Sequence, residues 1–173
     1  MAASIDRGPY LLRPGEGAAT WSLGGLFTPK VAGSVSEGRF SLVEATAWRS
    51  TEPPLHVHHR EAEAWYVLDG RMTFFVGDLE LEATTGAFVY APAGLAHTFT
   101  VDLEPTRVLV LASPAGFERF AFELGEPASP DVLREGGSTL PPAGLAMPSP
   151  ARLDEVAARY GIEIVGPPRR LRE

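Results

Sequence analysis

The chain has 173 residues and a mass of 18.5 kDa, which suits one domain and leaves little for a second. It is 45% hydrophobic and 21% charged with a mean hydropathy of zero, a balance that excludes a largely disordered chain and a membrane span. Net charge is −7, and the basic residues cluster only in the tail Arg169, Arg170 and Arg172, so nucleic acid is not an expected partner.

The absence of cysteine removes disulfides, thiolate metal sites and cysteine nucleophiles from consideration. The opening run MAASIDRGPY lacks the apolar core of a secretory signal. The expected location is therefore the cytoplasm, with no membrane partner.

Short β-prone runs dominate the first 112 residues. Strands around Tyr10 to Leu12 and Thr20 to Phe27 are expected to leave exposed edges. Arg39 to Ala47, Leu55 to His59, Glu63 to Leu68, Arg71 to Val76, Leu79 to Ala83, Ala87 to Tyr90, Ala96 to Val101 and Arg107 to Leu111 follow. Asp69-Gly70 is the strongest short hairpin signal between two such runs, and Gly77-Asp78 is a weaker one. Pro92-Ala93-Gly94 reads as a type I turn with Pro at its second position and Gly at its fourth. Strands at this spacing imply an all-β sandwich or barrel.

Residues 113–173 change character. Ser113-Pro114 reads as a helix start, followed by the stripe Phe117, Phe120, Ala121, Leu124 and a stop at Gly125. Ser149-Pro150 repeats the signal, with Leu153, Val156, Ala157 and Tyr160 on one face before Gly161. Between them, residues 126–148 are rich in Pro, Gly and Ser and read as a linker, with one turn of helix after Ser129-Pro130. These helices are expected to pack on the outside of the β core.

All four histidines lie in two short segments, His56-Val57-His58-His59-Arg60-Glu61-Ala62-Glu63 and the stretch around His97. Side chains alternate along a strand, so His56 and His58 share a face about 7 Å apart while His59 points away. Glu63 opens the next strand beside them, with Glu61 a competing carboxylate of the same parity, and His97 comes from a distant strand. Three nitrogens and one oxygen suit one divalent transition metal, whether Fe, Mn, Co, Ni, Cu or Zn.

These residues carry a resemblance. His56-Val57-His58, four residues, Glu63, six residues and Gly70 resemble the first motif of the cupins. Gly86, five residues, Pro92-Ala93-Gly94, two residues and His97 resemble the second. The motifs span about residues 53–101 and differ from the family pattern at Val101 and Ser50, neither a ligand position. The resemblance implies a double-stranded β-helix, a jelly-roll barrel over residues 1–112, with His56, His58, Glu63 and His97 as ligands of one metal. It favours Glu63 over Glu61. Small cupins generally pair, which together with the exposed edges predicts a homodimer.

Inward parity continues from Glu63 to Trp65 and from His97 to Phe99, and Met72 and Phe74 share the interior. These four are the expected substrate pocket, suited to a planar or largely apolar small molecule. PLHVHHRE (Pro54 to Glu61), Trp65 to Gly70 and SPAGFERF (Ser113 to Phe120) resemble the single-barrel quercetinase-like cupins. That resemblance implies a dioxygenase acting on an enolisable flavonol-like or diketone substrate, with Glu63 as both ligand and catalytic base. The competing reading is a non-oxidative isomerase or cyclase, or a binding protein without turnover.

Overall fold

The computed structural model describes residues 8–134, 141–142 and 147–169. The strands are β1 (Thr20–Ser22), β2 (Gly25–Val31), β3 (Ser41–Ala47), β4 (Leu55–His58), β5 (Ala62–Val76), β6 (Leu79–Thr84), β7 (Phe88–Ala91) and β8 (His97–Ser113). They are followed by α1 (Phe117–Glu123), β9 (Glu126–Pro127), α2 (Pro130–Arg134), α3 (Pro150–Arg159) and β10 (Ile162–Gly166). All pairings among these strands are antiparallel. The all-β class is as expected: a jelly-roll barrel with helices on its outside. β8 is the hub, pairing with β3, β4 and β5.

Alternation along the long strands makes the core. Trp65, Val67, Met72, Phe74 and Val76 of β5 meet Val101, Val108 and Val110 of β8 in one buried cluster. Gly77-Asp78 is the two-residue hairpin loop between β5 and β6, with Val76 paired to Leu79.

Asp69-Gly70 is not a hairpin. β5 runs straight through it, and the runs Ala96 to Val101 and Arg107 to Leu111 likewise fuse into β8. Asp69 pairs with Arg107 and Arg71 with Leu103, so residues 104–106 of β8 bulge against Gly70 alone. Gly70 has φ +99°, and a Cβ there would meet the Thr106 Cα at 2.9 Å. The glycine serves close approach between two strands rather than a chain reversal.

Three smaller expectations also change. The turn after β7 is bonded from Leu95 N to Pro92 O, placing Gly94, at φ +81°, third rather than fourth. That suits type II geometry rather than type I. Helix α1 begins at Phe117 after Gly116, because Ser113 is still held in the β8 ladder opposite Ala62. Tyr10 to Leu12 form no strand, and β1 and β2 pair with each other, with β9 and with β3. The edges expected for dimer contact at Thr20 to Phe27 are therefore filled within the chain.

The second helix forms as expected. Ser149 caps α3 by accepting a hydrogen bond from Arg152 N at 3.3 Å, Pro150 opens it, and Gly161 at φ +74° follows it. Val156 and Ala157 are fully buried against Phe120 and Ile162, and burying a valine this way contributes about 1.5–3 kcal/mol. The C-terminal region also holds a strand that was not expected. β10 returns to pair with β4, Ile162 opposite His58 and Ile164 opposite His56. Of the linker, α2 follows Ser129-Pro130 as expected, while residues 135–140 and 143–146 lie outside the described residues.

Candidate metal centre

β4 delivers His56 and His58, β5 delivers Glu63, and the first residue of β8 is His97. His56 and His97 are Cα partners across β4 and β8. One donor atom from each of the four residues lies within 4.8 Å of those from the others. His97 Nε2 is 2.9 Å from Glu63 Oε2, and His58 Nε2 is 3.4 Å from the same oxygen.

The other ring nitrogen of every histidine is engaged. His56 Nδ1 donates to the Pro54 carbonyl at 2.8 Å, and His97 Nδ1 donates to the Leu95 carbonyl at 2.9 Å. His58 Nδ1 donates to Glu61 Oε2 at 3.3 Å. With Nδ1–H spent on these acceptors, Nε2 is the ring atom turned toward a metal on all three rings, once any proton it carries is lost. Three Nε2 atoms and one carboxylate converging in a buried space fit a divalent transition ion.

Charge distribution agrees with this arrangement. His56 is pushed down to about 3, first by burial and then by the charges of His97 and His58. Burial alone would raise Glu63, but the His58 charge and the His97 hydrogen bond outweigh it and hold the carboxyl at about 2. Burial would lower His58, yet the Glu63 and Glu61 carboxylates overcome it and the net shift is upward. Glu63 is thus a carboxylate and His56 a neutral imidazole at neutral pH.

His59 stands outside the cluster, as its parity predicts, exposed and bonded to Glu163 at 2.8 Å. Glu61 is also outside it but buried behind His58. The cluster adjoins a cavity of about 110 Å³. Of the expected pocket residues, Trp65, Met72 and Phe99 line it, as do His56, His58 and Glu63. Phe74 does not: it packs behind them, with ring centroids 5.0 Å from Trp65 and 5.8 Å from Phe99.

A wall that the sequence assigned to packing, or left unassigned, belongs to this cavity. Phe117 and Phe120 of α1, Leu153 of α3 and Ile162 and Ile164 of β10 all line it. The alternation Ile162-Glu163-Ile164 was the available signal for the strand. Its pairing with β4 depends on a contact more than a hundred residues away, which no local pattern carries. None of the described lining residues is Lys or Arg.

Residues 44–112 match the family model described as a cupin domain. That stretch is similar to a cupin domain. It is 29% identical over 119 residues, 69% of its length, to the quercetin 2,3-dioxygenase of Bacillus subtilis. It is 41% identical over 56 residues, 32% of its length, to an uncharacterised protein of Streptomyces coelicolor. It spans only 35% and 53% of the lengths of these two relatives.

Among solved structures, KdgF from Halomonas aligns with a TM-score of 0.56 at 18% identity, covering 65% of this chain and 98% of that one. The polyketide cyclase RemF from Streptomyces resistomycificus aligns with a TM-score of 0.54 at 21% identity, covering 63% and 81%. Both likenesses are of fold. Among the described residues no helix is long and apolar enough to cross a membrane.

Proposed function

We propose that this cupin domain binds one divalent transition metal through His56, His58, Glu63 and His97 and acts as a dioxygenase-like enzyme on an enolisable small molecule. The observation that carries the reading is the anchoring of all three Nδ1 atoms, which turns three Nε2 atoms and Glu63 toward one point beside an apolar cavity. The Bacillus relative named for quercetin dioxygenation supports the reaction class.

The bound metal would supply Lewis-acid polarisation of a substrate oxygen and, if redox-active, a route for dioxygen. The protein's part is placement and proton transfer. Glu63 lines the cavity, so its carboxylate is within reach of the hydroxyl proton of an enol seated there. Trp65, Met72 and Phe99 offer apolar surface to a planar body and keep water from the reacting oxygen. The cavity is somewhat smaller than one of about 150 Å³ that takes benzene, so it admits at most a single ring or a diketone fragment. The rest of a larger flavonol-like molecule would lie outside it. With no Lys or Arg among the described lining residues, a neutral substrate that becomes an enolate on binding suits the site better than a polyanion.

Metal analysis of purified protein, followed by oxygen uptake with a panel of flavonols and β-diketones, tests the reading. Oxygen consumed in step with substrate is the expected result. Turnover without oxygen would shift the assignment to a metal-assisted isomerase or cyclase, and binding without turnover to a carrier. A homodimer and a cytoplasmic location complete the proposal. A solution mass near 18.5 kDa by light scattering would overturn the dimer.

A further inference from the structure

The three histidines are not anchored alike. His56 and His97 each donate Nδ1–H to the backbone carbonyl two residues before them. His58 donates instead to a side chain, the carboxylate of Glu61. Glu61 is 3% exposed, although glutamate is rarely buried without a partner.

A second observation concerns the space this carboxylate occupies. While Oε2 faces His58, the other oxygen, Oε1, lies against the bare Cα of Gly116, where a Cβ would collide with it. The position of Gly116 is itself fixed. Glu118, also buried, accepts from Gly116 N through Oε2 at 3.0 Å and from Gly33 N through Oε1 at 2.9 Å. Gly116 has φ 164°, outside the left-handed range that favours glycine. The demand is spatial, and the occupant of the space is Glu61.

We infer that Glu61 is a positioning residue for the metal centre, orienting His58 and strengthening its Nε2 as a donor, and that Gly116 is glycine to admit it. The inference rests on the metal reading above. A carboxylate behind a metal-binding imidazole fixes ring orientation and raises donor strength, and losing such a partner weakens metal binding about 10–100-fold. His56 and His97 hold their orientation through backbone, so Glu61 is the one anchor of the three that substitution can remove. It also links α1 to the metal centre, since the turn that starts the helix shapes the space behind His58.

The test titrates the whole chain with Co²⁺, reading affinity by calorimetry and geometry by the visible absorption of the bound ion. Glu61→Leu should weaken Co²⁺ binding about 10–100-fold and alter the spectrum. Glu61→Gln, whose amide oxygen still accepts from Nδ1–H, should restore most of the affinity. Gly116→Ala should behave like Glu61→Leu with Glu61 still present. In a His58→Ala background, adding Glu61→Leu should produce no further loss, because the effect passes through His58.

Glu61→Leu within twofold of wild type with an unchanged spectrum would overturn the inference, as would an equal loss in the His58→Ala background. If Glu61→Leu does not fold, Gly116→Ala decides: wild-type affinity and spectrum would reject the role. Wild-type protein that binds no divalent ion would overturn the metal reading itself, whereas failure of the variants alone leaves that reading standing.

Discussion

His56 and His97 face each other directly across the register pair that joins β4 to β8, with their rings 4.5 Å apart. They lie 41 positions apart in sequence (97 − 56), and each is held by the carbonyl two residues before it. The four-residue cluster is therefore built on ladder geometry, with backbone pairing and backbone carbonyls setting two of its rings.

The first prediction concerns stoichiometry. His58→Ala and His97→Ala should each reduce bound metal well below one ion per chain after dialysis, as measured by elemental analysis. His59→Ala should leave it unchanged, because His59 is exposed and bonded to Glu163. Equal loss from His59→Ala would show that the assigned strand parity is wrong.

That parity argument explains how much of the centre was legible. His56 and His58 could be placed on one face from period two alone, and residue spacing placed Glu63 and His97 through the family resemblance. The role of Glu61 was not legible. Its parity made it look like a rival ligand, whereas a three-dimensional fact, the space over Gly116, puts it behind His58. The Asp69-Gly70 misreading has the same origin. A dipeptide suited to a tight turn is equally suited to a bulge, and only the approach of Thr106 separates the two. Phe74 was assigned to the pocket, and the C-terminal cavity wall was not, because parity separates inside from outside but does not distinguish cavity lining from core.

A second prediction follows from Gly70. Gly70→Ala must accept φ +99° and a clash with Thr106, so a loss of at least about 1–3 kcal/mol is expected in urea unfolding. Gly86→Ala provides the comparison, because its φ is +88° but nothing lies within 4 Å of a Cβ there. Gly86→Ala should show the backbone penalty alone. Equal losses at the two sites would mean that Thr106 moves aside and the close approach carries no constraint.

The third prediction concerns protons. In the ion-free protein the folded value of His58 is raised above its ordinary 6.5 by carboxylates that outweigh burial. The stabilisation it contributes is full below the unfolded value and is lost as pH rises through the folded one. Metal binding must displace that proton, so release from His58 should be largest at mildly acid pH and fall away on the alkaline side. His56, at about 3, and Glu63, at about 2, should release none above about pH 5. Calorimetry in buffers of different ionisation enthalpy measures this directly. Negligible release at about pH 6 would show that His58 is already neutral in the folded protein.

The last prediction separates the two roles proposed for Glu63. Its Oε2 lies 2.9 Å from His97 Nε2 and 3.4 Å from His58 Nε2, so it sits at the centre of the cluster, and the side chain also lines the cavity. Glu63→Gln keeps an oxygen donor of the same reach but cannot hold a proton at neutral pH. If Glu63 only ligates, the variant should lose activity in proportion to the metal it loses. If Glu63 also accepts the substrate proton, activity per bound metal should fall by a further factor of about 10²–10⁴. The measurement is turnover with an active substrate from the oxygen-uptake panel, divided by metal content determined on the same sample. Matching activity per metal in the two proteins would remove Glu63 from proton transfer. The metal centre would then act by Lewis-acid polarisation alone, with a substrate that binds already ionised.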